Sequence, residues 1–121
     1  MTRRTLALAA ALFGAAAVGL GAFGAHALRG TLDAAAMSTW QTAVQYLFWH
    51  VLAALVAVHA DEEKAARFAG LAFLVGATLF SGSLFALALG APRGFGAITP
   101  VGGVALIAGW LLLAFHYARR S

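Results

Sequence analysis

Four apolar segments, at residues 5–28, 43–60, 68–89 and 98–117, take up almost all of this 121-residue chain. Each holds about 18–24 residues. At about 1.5 Å per residue, each crosses a hydrocarbon core of about 30 Å, the second with little tilt. Lipid offers no partners to backbone N–H and C=O groups, so a single span must be a helix. Strand hairpins need alternating polarity, and these segments have none. The sequence therefore predicts an all-α fold: one integral membrane domain, residues 1–121, built as a four-transmembrane-helix bundle. Charged residues make up only 10% of the chain, which leaves no room for a soluble domain beside the spans.

The polar breaks set the expected orientation. Arg3 and Arg4 precede the first span, Lys64 and Arg67 lie between the second and third beside Asp61, Glu62 and Glu63, and Arg119 and Arg120 follow the fourth. Only Arg29 and Arg93 fall on the other side. Six basic residues against two predicts N-in, C-in, because basic rather than acidic residues decide topology. The formal charge of +4 is thus a topology signal and not one for nucleic acid. Met1-Thr-Arg-Arg4, an apolar run and Ala25-His-Ala27 have the outline of a secretory signal with its cleavage site. The run is too long for such a signal's apolar region, which favours a retained helix.

Small residues mark where helices are expected to meet. Ala10, Gly14, Ala17, Gly21 and Gly24 fall on one face of the first span, and Ala17, Gly21 and Ala25 form a small-xxx-small run. Gly82, Ala86 and Gly90 repeat the spacing in the third span, Ala105 and Gly109 in the fourth. In lipid, close packing rather than hydrophobicity drives helix association, and small residues permit it. Gly14, Ala17, Gly21, Ala25, Gly82 and Ala86 are the expected packing positions, within a tight bundle or between copies of it. Residues 31–42 are weakly amphipathic and are expected to form a short helix in the outer interface, with Trp40 in the aromatic belt. Thr99-Pro100 reads as an N-cap followed by a first-turn proline.

The polar side chains within the spans gather toward the outer side. A second span starting near Ala43 puts His50 about 10 Å below the outer boundary, and a third span ending near Leu89 puts Ser81 and Ser83 about 9–12 Å below it. Thr42, Tyr46 and His50 form one stripe, and Gln41 and Gln45 its neighbour. His26 and Thr99 lie near the outer ends of their spans. His26, Gln45, His50, Ser81, Ser83 and Thr99 are therefore the candidate polar cluster. It reads first as a hydrogen-bonded structural plug, and second as a ligand or ion site in which His50 could carry a proton.

Several activities are excluded or weakened. The chain has no cysteine, which removes disulfides, thiol nucleophiles and iron–sulfur ligation. The absence of a deep carboxylate argues against ion-coupled transport. Four histidines in two pairs, His26 with His50 and His59 with His116, have the outline of two haem sites. Three of them are too shallow to bury a haem, and interfacial snorkelling accounts for them. Zinc fails on the same ground, so no metal and no cofactor is expected. Helix N-termini near Arg29 and Arg93 offer an anion site, but bilayer phosphates account for those arginines. Ser81 and Ser83 lack a G-x-S-x-G frame and an Asp–His pair, so a serine hydrolase is not expected.

Six motifs in order carry a resemblance: Gly21-Ala-Phe-Gly-Ala-His26, Trp40-Gln-Thr-Ala43, Tyr46 with His50, Leu79-Phe-Ser-Gly-Ser-Leu84, Ile98-Thr-Pro-Val-Gly-Gly103, and Gly109-Trp110. Together they cover the chain and resemble the YgdD-like family, small bacterial inner-membrane proteins of unknown function with mitochondrial relatives. The resemblance implies four spans, a multi-pass location in the bacterial inner (plasma) membrane and no established activity. Leu47 stands where that family usually carries Gln, and Phe85 where it often carries Tyr. Both departures remove a polar group near the cluster, which fits a structural role. The sequence thus reads as a non-enzymatic structural or accessory bundle in contact with membrane lipids, self-associating or joining a larger membrane complex. The alternative is a small transporter or a ligand- or lipid-binding protein using the polar pocket.

Overall fold

The computed structural model describes residues 2–60 and 64–119, so Asp61, Glu62, Glu63 and Arg120, used above to read topology, lie outside the described residues. The chain forms α1 (Arg3–His26), α2 (Ala34–Ala60), α3 (Lys64–Ala88) and α4 (Ile98–Arg119), with a 3-10 helix at Arg93–Ala97 leading into α4. There is no strand among the described residues. All four helices are long and apolar enough to cross a membrane.

Helix α2 departs most from the sequence reading. It begins at Ala34, not near Ala43, and absorbs the segment expected to lie flat in the interface. Asp33 starts it: its Oδ1 accepts from the Ala36 amide at 2.8 Å and its carbonyl from the Met37 amide at 2.9 Å. Three alanines follow, the residue with the highest helix propensity. The resulting 27 residues span about 40 Å, more than the hydrocarbon core, so α2 also crosses a headgroup layer.

Trp40 is correspondingly not a belt residue. It is 3% exposed and lodges between α1 and α3, against Phe23 and Phe85. Its Nε1–H donates to the Leu20 carbonyl at 3.0 Å. A helical carbonyl has a second lone pair to offer, and the indole reaches this one because Gly24 has no side chain; a Cβ there would run into the ring. Trp40, Leu28 and Ala88 form a small core at the end of the molecule that holds the α1–α2 and α3–α4 connections.

The other helix ends follow from local chemistry. Thr2 caps α1, its hydroxyl accepting from the Thr5 amide at 3.1 Å. Gly90, at φ +97°, ends α3 in a left-handed turn. There the Ala91 amide reaches back to the Ala86 carbonyl at 2.9 Å and the Gly90 amide to Leu87 at 3.1 Å, and both orphan carbonyls are satisfied. Thr99 is not a cap: the 3-10 turn runs directly into α4, and Thr99 sits inside the first turn with its hydroxyl turned toward α3. At the opposite end of the molecule Arg3 Nε donates to the Val58 carbonyl at 2.6 Å, tying the start of α1 to the last turn of α2.

The helices run up, down, up and down, but they do not close into a compact bundle. Among the described residues α2 and α3 form the central pair, α1 packs on α2 and touches α3 lightly, α4 packs on α3, and α1 and α4 do not pack together. The expected packing positions divide accordingly. Gly14 meets Val51, Gly21 meets Val44, and Ala17 is fully buried, whereas Ala25 is exposed. Gly82 faces open space and Ala86 is half-buried, because α3 meets α4 through Gly76 instead.

The closest approach is between α3 and α4. A Cβ on Gly102 would collide with the Phe80 amide nitrogen and lie 2.9 Å from the Gly76 carbonyl oxygen. Both obstacles are backbone, so no side-chain rotation relieves them. Gly102→Ala is expected to cost about 1–3 kcal/mol by forcing α3 and α4 apart. Gly82→Ala, with open space around its Cβ, should change stability by less than about 1 kcal/mol. Reversible unfolding in mixed micelles checks both, and equal losses would contradict the assigned contact.

Candidate functional site

A buried polar group that links two helices within the spans is His50, which is 5% exposed. Its Nδ1 lies 2.7 Å from the Tyr46 carbonyl one turn back, and Trp110 Nε1 donates to its Nε2 at 3.1 Å. An indole N–H can only donate, so Nε2 must offer a lone pair, and the proton sits on Nδ1 and goes to the Tyr46 carbonyl. The network thus fixes both the tautomer and the neutral state of the ring. The apolar surroundings complete the fit. The Phe73 and Trp110 rings meet edge-on at 4.9 Å, and Tyr46 stacks on His50 at 5.9 Å, 19° from parallel.

Depth explains why this pair exists. Tyr46 and His50 are in the middle of α2, and Trp110 is in the middle of α4. Tryptophan usually sits at the membrane boundary, where its N–H meets water or headgroups. At mid-depth the indole needs an acceptor from the protein, and His50 is that acceptor. His50 therefore lies further from the start of its helix than the sequence reading placed it, because α2 starts nine residues earlier.

The two serines serve helix contacts nearer the connections. Ser81 Oγ donates across to the Ala43 carbonyl of α2 at 2.7 Å. Ser83 Oγ donates to the Phe80 carbonyl at 2.9 Å and lies 2.5 Å from Thr99 Oγ1. A hydroxyl has one proton to give, so Thr99 is the donor in the second contact, which pins the first turn of α4 to α3.

The six residues expected to converge are thus spread out. Only Ser83 and Thr99 touch. His50 belongs to a separate level with Trp110, and Ser81 bonds backbone. His26 is exposed at the end of α1, and Gln45 is exposed beside a groove between α1 and α2 with Gly21, Gly24 and Gln41. No group of three or more His, Cys, Asp or Glu comes together among the described residues. Every buried polar side-chain atom among them has a hydrogen-bond partner. His116, read as interfacial, is 1% exposed and packs beside Tyr117.

The sequence reading missed Trp110 as a partner of His50. The signal was present: an indole deep in an apolar span has an unmet donor, and the one deep imidazole is its natural acceptor.

Two further grooves lie among the described residues. One lies between α1 and α3 in two adjoining parts of about 260 and 200 Å³, sharing Phe13 and Thr78. The other, of about 400 Å³, lies between α2 and α4 and is lined by Tyr46, His50, Phe80, Gly103, Leu106, Ile107 and Trp110.

Four apolar helices whose buried polar groups bond to one another define a small multi-pass membrane protein. The chain belongs to the DUF423 family, described as a protein of unknown function, which matches residues 20–103. It is 40% identical over 116 residues to the UPF0382 inner membrane protein YgdD of Escherichia coli strain K12, covering 93% of this chain and 88% of that protein. It is 45% identical over 98 residues to a UPF0382 membrane protein of Staphylococcus haemolyticus, covering 79% of this chain and 80% of the relative. No solved structure matches. The chain is a bacterial inner-membrane protein of a family whose function is unknown.

The His50–Trp110 bond makes a direct expectation. Trp110→Phe keeps an aromatic ring but leaves Nε2 without its donor, and should cost about 1–2 kcal/mol of stability. In the unmodified protein, nitrogen NMR of labelled histidine should show His50 protonated on Nδ1 alone at neutral pH. An Nε2-protonated ring would refute the network.

Proposed function

We propose that this chain is a non-enzymatic accessory bundle, oriented N-in and C-in, that acts by lateral association in the membrane with further copies of itself or within a larger complex. The observation that carries the reading is the α1–α3 groove. Along α3 it runs from Leu71 to Phe85, about 20 Å, most of the membrane's apolar thickness. It is apolar, and Ala9, Ala16, Ala77 and Gly82 keep its walls low. Small residues along a lipid-facing groove favour a close-packed helix over mobile lipid tails.

The polar chemistry supports the same reading. The buried hydroxyls and the imidazole are committed to holding helices together, which leaves no nucleophile–base pair poised for a reaction among the described residues. The orientation rests on charge. The up-down course puts Arg3, Arg4, Lys64, Arg67 and Arg119 at one end and leaves Arg29 and Arg93 at the other.

Gly82→Leu tests the association, because Gly82 lines the groove and a Cβ there meets nothing within 4 Å. In gently extracted membranes the wild type should appear by native mass spectrometry as an oligomer or with a partner, and the variant as a bare monomer with its melting temperature retained. A wild type that is itself monomeric and partner-free would sink the reading. The absence of cysteine makes topology simple to check: single cysteines next to Arg29 and next to Arg119 should label from outside and from inside, respectively.

A further inference from the structure

The α2–α4 groove has a feature that lateral packing does not use. Tyr46 lines it, and no group among the described residues accepts its hydroxyl proton. No buried polar side-chain atom is left unpartnered, so this hydroxyl is accessible from the groove or the lipid and not sealed inside. It sits near the middle of α2, within the apolar span. An unmet phenolic donor in hydrocarbon is costly and calls for an acceptor.

We propose that the α2–α4 groove binds a membrane-dissolved quinone, with a ring carbonyl accepting from the Tyr46 hydroxyl and the ring lying against Phe80 and Trp110. Three observations select this class. The first is depth: a phospholipid's ester and headgroup oxygens stay near the boundaries, about 15 Å from the midplane, whereas a neutral quinone ring carries its acceptors into the interior. The second is the lining. Tyr46 and Phe80 pack at 4.6 Å between centroids, Trp110 closes the other side, and flat rings suit flat rings. Trp110 is held in place by His50, so the aromatic wall is preorganised. The third is size and access. About 400 Å³ falls in the lower part of the usual range for small-ligand pockets, about 300–1,000 Å³, which fits a ring and the start of its tail. Among the described residues the α2 and α4 backbones make no extensive contact, so the groove admits a ligand sideways while the tail remains in the bilayer.

This site is on the opposite side of the α2–α3 pair from the α1–α3 groove, so it stands or falls separately from the association proposed above.

The test uses the whole protein in lipid nanodiscs and a photoactivatable azido-quinone with a ten-carbon tail, with labelled peptides mapped by mass spectrometry. Labels should fall on the α2 segment around Tyr46 and on α4 around Ile107 and Trp110. Decyl-ubiquinone should compete and decylbenzene, with the same tail and no carbonyl, should not. Tyr46→Phe should weaken decyl-ubiquinone about five-fold, the worth of one hydrogen bond. Ile107→Trp should block labelling by filling the groove, and because Ile107 is 61% exposed the fold should survive. Equal competition by decylbenzene would mean an apolar slot for lipid tails and would overturn the quinone assignment. So would an unchanged affinity in Tyr46→Phe, or labels spread over the outer faces of α1 and α4.

Discussion

Inside a bilayer a polar group has no solvent to fall back on, and each buried polar side-chain atom among the described residues has found a partner. The His50–Trp110 bond is the clearest case. The indole needs an acceptor at mid-membrane, the imidazole needs a donor for its free nitrogen, and α2 and α4 are held at the distance that lets them meet. The α2 and α4 backbones make no extensive contact among the described residues, and this side-chain bond bridges them. Ser81 on the Ala43 carbonyl and Thr99 on Ser83 do the same for the other pairs. These bonds are worth little more than they would be in water, because an unfolded chain in lipid finds partners too. Their value here is selection: only one register of each helix pair satisfies all of them.

Contact between helices rests on shape. Gly76 and Gly102 bring the α3 and α4 backbones against each other, and Gly24 admits the Trp40 indole to the α1 backbone. The consequence is an open arrangement with a central pair and two flanking helices. Each flank leaves a groove, one lined by small apolar residues and one by aromatic rings. The proposed association and the proposed ligand site are consequences of the same failure to close.

Much of the fold could be read from the sequence, because hydrocarbon thickness and backbone hydrogen bonding leave so few choices. The spans and their number followed from length and polarity alone. The start of α2 did not, since Asp33 and three alanines are a helix-initiating signal that outweighs the weak amphipathicity of residues 31–42. That one difference moved His50 further from the start of its helix and set Trp40 within α2, against α1 and α3. The small-residue face of α1 was legible in its spacing. For α3 the spacing pointed to Gly82, while the structure uses Gly76, because equal spacings recur around a glycine-rich helix and only the neighbour's shape decides between them. The candidate residues were identified as polar groups, but their grouping was not legible. Depth along a helix can be counted, whereas rotation about its axis relative to another helix cannot.

The arrangement of the four helices bears on how the protein is made. Each helix packs chiefly on its neighbours in the chain, and among the described residues the first and last do not pack together. Contacts between near neighbours in sequence form with little loop-closure cost. A chain emerging from the ribosome can therefore seat α2 on α1, α3 on α2 and α4 on α3 as each enters the bilayer. The His50–Trp110 bond between α2 and α4 then forms last, and no closed ring has to reopen to admit α4.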